Sequence, residues 1–93
     1  MAGSLQDLRA QIEEIDKGII KLFSKRHEFV RKIGEVKQGM DLPVGNQEFE
    51  NQKLENYTQV AAARGLSADF IQNIFEEVFW EARRVQEEMT KEG

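Results

Sequence analysis

One apolar seam decides most of what this chain can become. Leu5, Leu8, Ile12, Ile15, Ile19, Leu22, Arg26, Phe29, Ile33 and Val36 follow one another at steps of three and four without a slip. That spacing keeps every one of them on one face of a helix with 3.6 residues per turn, and it predicts a single amphipathic helix over about residues 5 to 38. Ser4, followed three residues later by Asp7, supplies an N-terminal cap, and Gly39, Pro43 and Gly45 mark the stop. Gly18 and Gly34 inside the helix each cost about 1 kcal/mol against Ala, unless close packing uses their small size.

Two further helices follow. Asn46 is a suitable N-cap and Gly65 a suitable C-terminal stop for the second, whose inward stripe reads Glu50, Leu54, Tyr57 and Ala61. Ser67 caps the third, along which Ile71, Phe75, Val78, Ala82, Val85 and Met89 alternate by four and three, with Phe79, Ala82 and Gln86 on an adjoining line. Phe70, Phe75, Phe79 and Trp80 are expected in the core, and the polar residues Thr90 to Gly93 are expected to fray. No alternating strand, glycine-rich phosphate loop or repeat is visible, so the fold class is all-α, three helices in a single domain over 1–93.

A helix of about 34 residues is about 50 Å long, while a compact chain of this size has a radius of gyration near 12 Å. The first helix therefore overhangs its own fold, and its seam needs cover, most simply from a second copy in an intertwined two-fold homodimer. The competing arrangement is a bent or broken first helix that folds back as a monomeric bundle.

Composition narrows the chemistry. Thirteen Lys and Arg against 17 Asp and Glu leave a net charge of -4, which argues against a nucleic-acid partner. With 40% hydrophobic and 32% charged residues the chain is expected to be a soluble globular protein, with no apolar run of membrane-spanning length. No signal-peptide core stands at the amino terminus, so a cytoplasmic location is expected. There is no cysteine and one histidine, His27, which removes thiolate chemistry and any His-based metal site. Ser24 has no visible base, so nucleophilic catalysis has little support.

The residues that break the pattern are the interesting ones. Arg26 fills a seam position where Leu or Ile is expected, and a guanidinium cannot lose its proton to escape burial, so it needs an anion. Two readings stay open: a buried anionic ligand, or an internal pair with Glu50 or Glu81. Lys37 lies eleven residues on, about 20° around the helix and about 16 Å along it, so both side chains can reach one small acidic ligand. Arg9 sits about 25 Å before Arg26, too far to share a ligand within one helix, though an antiparallel dimer would bring them together. Glu50 and Gln86 are polar groups on inward stripes, suited to a pocket or to internal hydrogen bonds.

Taken together, LRAQIEEIDKGIIKLFSKRHEFVRKIGEVK, LPVGNQEFENQKLE and ADFIQNIFEEVFWEARRVQEE resemble the all-α chorismate mutases over nearly the whole chain. The most telling parts are the LRxxIxxID opening, the KR pair followed by IGExK, the LPV loop, and IFEEVF running on to VQ. The resemblance implies intertwined homodimers of three-helix subunits that rearrange chorismate to prephenate, on the route to phenylalanine and tyrosine, without a cofactor or metal. It further implies that Arg26, with Arg9 of the opposite subunit, clamps the two substrate carboxylates. Lys37 and Gln86 would then hydrogen-bond the ether oxygen, Glu50 would bind the ring hydroxyl, and Asn46 and Ala82 would fall at substrate-binding positions. Three departures stand out: Phe49 where an arginine is expected, Asn46 for the usual Asp, and Ala82 where some members carry Ser. They motivate one alternative, a non-catalytic dimerisation or regulatory module; a second is an isochorismate pyruvate-lyase on the same scaffold, against which the retained Glu50 argues.

Overall fold

The computed structural model describes residues 3–92; Met1, Ala2 and Gly93 lie outside the described residues. Three helices follow in chain order, α1 (Leu5–Gly39), α2 (Gln47–Ala63) and α3 (Ala68–Glu92), and no strand occurs among the described residues.

Each boundary has a local cause. The Ser4 side chain accepts the backbone N–H of Asp7, Asn46 accepts that of Phe49, and Ser67 accepts that of Phe70, so all three expected caps form. At the end of α2 the N–H of Leu66 returns to the carbonyl of Ala61 and that of Gly65 to Ala62, the paired closure that requires a left-handed residue. Gly65 supplies it at φ 75°. After α1 the same closure runs from Leu42 to Lys37 and from Asp41 to Gln38, with Asp41 taking the left-handed position at φ 58°. The third helix continues through Thr90 and Lys91, where fraying was expected, because its 3,4 apolar pattern carries as far as Met89 against α1.

The first helix is unbroken, which excludes the bent, folded-back bundle. The described chain measures 57 × 27 × 15 Å with a radius of gyration of 16.9 Å, well above the roughly 12 Å of a compact chain this long. The third helix is central: it packs against α2 on one side and against α1 on the other, while α1 and α2 do not approach one another directly. The contact with α1 depends on Gly34, where a Cβ would meet Met89 Sδ at 3.1 Å and Gln86 Cγ at 3.2 Å. At Gly18 a Cβ would meet nothing within 4 Å, so of these two helical glycines it is Gly34 whose small size is used within the chain.

What these contacts bury is small. Val30, Ala61, Phe79 and Val85 are the buried apolar side chains, with Tyr57 edge-on to Phe75 at 4.9 Å between α2 and α3. Phe70 and Trp80, expected in the core, are each 54% exposed, because nothing within the described chain covers that side of α3. The seam of α1 from Leu5 to Leu22 is exposed as well, Ile15 at 61% and Leu22 at 67%. No helix among the described residues is long and apolar enough to cross a membrane.

Candidate active site

Because α1 and α2 stand apart on either side of α3, a cavity of about 270 Å³ opens between the three helices. Each helix lines it with a stripe at the same spacing, residues i, i+4 and i+7, the face that a helix turns toward a neighbour. From α1 come Arg26, Val30, Ile33 and Lys37; from α2 and its cap, Asn46, Phe49, Glu50 and Lys53; from α3, Phe79, Ala82, Arg83 and Gln86. Val44 of the connecting loop closes one side.

Six of the seven residues singled out in the sequence therefore meet in one place: Arg26, Lys37, Asn46, Glu50, Ala82 and Gln86. Arg9 does not join them, being exposed on the overhanging half of α1. Two charged residues were missed. Lys53 lies one turn beyond Glu50, and Arg83 stands midway between Phe79 and Gln86, so the same stripes carried the signal for both.

The hydrogen bonds fix several of these groups. Gln86 is buried and its Nε2 donates to the carbonyl of Val30 at 2.9 Å, which places its amide against the cavity and ties α3 to α1 beside Gly34. Lys37 Nζ donates to the carbonyl of Val44 at 3.0 Å, which pins the ammonium at the loop. Asn46 uses its side-chain oxygen as the α2 cap, leaving its NH₂ group as its free donor, and Ala82 presents only a methyl group. Glu50 pairs with Arg83 across α2 and α3.

That last pair, with the one between Glu81 and Arg84, answers the question that Arg26 raised. Both acids that could have neutralised it are engaged elsewhere. Arg26 Nη1 is buried without a hydrogen-bond partner among the described residues, and the guanidinium carbon lies 5.8 Å from the centre of the Phe79 ring. Buried polar groups are nearly always paired, and an unpaired guanidinium N–H is costly enough to demand a reason.

The cavity's charge is lopsided. Arg26, Lys37, Lys53 and Arg83 face a single carboxylate, and since Glu50 is held by Arg83, three cations remain without a compensating acid. Lys53 feels the consequence: burial, then the Arg26 charge, lower its pKa from the ordinary 10.5, with Lys37 adding to the effect and Glu50 opposing it. A larger cavity of about 340 Å³ on the other side of Arg26, lined also by Phe23, His27, Glu77, Val78 and Glu81, carries two acids and no such excess. No group of three His, Asp or Glu side chains able to hold a metal occurs among the described residues.

A small, helix-walled cavity in an all-α protein with an excess of fixed cations is suited to one class of ligand, small polyanions. The comparisons narrow that class. The family described as chorismate mutase type II matches residues 8–87. The T-protein of Haemophilus influenzae is 38% identical over 71 residues, which cover 76% of this chain and 19% of that protein. The bifunctional chorismate mutase/prephenate dehydratase of Buchnera aphidicola is 29% identical over 91% of this chain and 22% of its own. The chorismate mutase of Methanocaldococcus jannaschii is 32% identical over 54% of this chain and 50% of its own. The chain belongs to the chorismate mutase type II family. It spans about a fifth of the length of the T-proteins it matches.

Proposed function

We propose that this chain, acting as one helical domain over residues 1–93, rearranges chorismate to prephenate in a cavity completed by a second copy of itself. The observation that carries the reading is the buried, unpartnered Arg26 nitrogen beside two further uncompensated cations. Chorismate is a small dianion, and its rearrangement is a pericyclic step within one molecule: one C–O bond breaks as one C–C bond forms. No proton has to move and no covalent adduct is needed. The protein's contribution is to hold the compact reactive conformer and to aim fixed donors at the oxygen where negative charge develops.

Each residue then has a role that its position supports. Arg26 takes one substrate carboxylate with the nitrogen that has no internal partner. Lys37 and the Gln86 amide, each anchored to a backbone carbonyl, donate to the ether oxygen. Glu50, oriented by its pair with Arg83, accepts from the ring hydroxyl. Asn46 and Ala82 border the bound molecule, one offering an amide and the other clearance.

A homodimer supplies what the protomer lacks. Antiparallel pairing of two α1 helices that sets Arg9 of one copy against Arg26 of the other has its two-fold axis between Lys17 and Gly18. Gly18 has open space there, and the exposed seam from Leu5 to Leu22 would be covered by the same contact. Light scattering of the purified protein tests the stoichiometry, with a monomer at micromolar concentration as the contrary result. A cytoplasmic location goes with this reading, and cell fractionation checks it.

The direct test of the activity is to incubate the purified protein with chorismate and follow prephenate. Turnover well above the spontaneous rate, lost in Arg26→Met, supports the proposal. A spontaneous rate only, or an unaffected Arg26→Met, abandons it, and pyruvate released from isochorismate would point to a lyase instead.

A further inference from the structure

Lys53 is placed as few surface lysines are. It forms no ion pair among the described residues, although Glu50 lies one turn before it on α2, because that carboxylate is occupied by Arg83. Its stem does not run out to solvent. The side chain is half-buried, and Nζ lies 4.5 Å above the Phe49 ring and 5.8 Å from the Phe79 ring, at the wall of the cavity that Arg26 and Lys37 share. Two aromatic faces, one from its own helix and one from α3, attract the ammonium and restrict where it can go. The cost is three like charges around about 270 Å³ with no internal acid to balance them. An ammonium preorganised in this way, beside cations it would otherwise avoid, is suited to one thing: an anion arriving between them.

We propose that Lys53 is a third substrate-binding cation of the cavity, seated on the Phe49 and Phe79 rings and contacting a carboxylate of the bound dianion. This rests on the chorismate reading and deepens it. The aromatic seat explains why an apolar ring at position 49 is compatible with an anion site: Phe49 holds the charge one turn further along α2. The lowered proton affinity of Lys53 without ligand agrees with this, since a neighbouring carboxylate would relieve both the burial and the repulsion.

The experiment compares steady-state turnover of chorismate by the parent with that of Lys53→Met, Lys53→Arg and Phe49→Leu. A parallel titration measures affinity for a bicyclic dicarboxylate mimic of the transition state. Loss of one charge-assisted contact to a carboxylate corresponds to a rise of about tenfold or more in KM and in the mimic's Kd for Lys53→Met. Lys53→Arg is expected to restore both to within about threefold of the parent, and Phe49→Leu to fall between, since it removes only part of the seat. A packing role alone would lower stability and leave the KM of the folded fraction unchanged. Should Lys53→Met fail to fold, Lys53→Gln carries the same comparison. The inference is overturned if the parent turns over chorismate while Lys53→Met keeps its KM and mimic affinity; the activity reading would then stand without it. A parent that does not turn over chorismate overturns both.

Discussion

Replacing Arg26 by Met separates what the fold needs from what the site needs. The thioether chain keeps most of the arginine stem's packing and removes a guanidinium whose Nη1 is buried without a partner. Leaving such a donor unsatisfied costs about 1 to 3 kcal/mol, so deleting it returns that amount to the unliganded protein. Against this stands the loss of the Arg26 contact with the Phe79 ring at 5.8 Å. A cation over a ring is worth about 0.5 to 1 kcal/mol where partly exposed. The net expectation is a variant about 1 kcal/mol more stable, melting about 4 to 8 °C higher for a chain of this size. The melts are run at one protein concentration, because an associating protein's midpoint depends on it. They are then repeated with the bicyclic dicarboxylate at a hundred times the parent's Kd, where binding stabilises the parent by about 2.7 kcal/mol and the variant scarcely at all. The two proteins should therefore change order: the variant melts higher alone, the parent higher with ligand. An unliganded variant that melts lower than the parent would mean Arg26 has an internal partner. Equal gains on adding ligand would mean that Arg26 does not touch it.

Other expectations follow from single contacts. Gly34→Val places methyl groups where Met89 and Gln86 already lie within about 3.2 Å, so it is expected to push α3 away, break the Gln86 bond to Val30, and lower stability by about 1 to 3 kcal/mol in urea melts. Its turnover should fall by more than its stability implies, because the Gln86 amide loses its anchor; unchanged kcat in the folded variant would count against that role. The Lys53 pKa is lower in the fold than the ordinary 10.5, so just below that value the unfolded chain binds more protons than the folded one. Stability contributed at this site therefore rises with pH through the alkaline window ending near 10.5, and Lys53→Met should lose that rise. Urea midpoints of parent and variant, compared across the window, would refute this if their difference stayed constant.

Much of the fold could be read before any coordinates. The unbroken 3,4 spacing specified α1, and Ser4, Asn46, Ser67 and Gly65 act at the ends where their chemistry belongs. Periodicity reports which face of a helix is apolar and is silent on what covers it. Phe70 and Trp80 sit on apolar lines and yet are exposed in the single chain for that reason. Six cavity residues were legible because each is a polar or undersized group on an inward stripe, or a family position. Lys53 and Arg83 were not, because a cation on a helix usually marks a solvated face. Only the pairing of Glu50 with Arg83, 33 residues apart, shows which charge is neutralised and which is left free. The cation that the resemblance expects at position 49 is found on the next turn, above the ring of Phe49. Gly18 and Gly34 looked alike in sequence, and only the approach of Met89 and Gln86 to Gly34 distinguishes them.

Whether a cationic site is shared between two copies is decided by mixing two inactive variants. Arg9→Met and Arg26→Met, denatured together in equal amounts and refolded, should assort at random, and each mixed dimer then carries one site with both arginines and one with neither. Prephenate formation is predicted to recover to about a quarter of the parent's rate, since half the dimers are mixed and half their sites intact. A mixture no more active than its two components, or an Arg9→Met protein as active as the parent when alone, would contradict it.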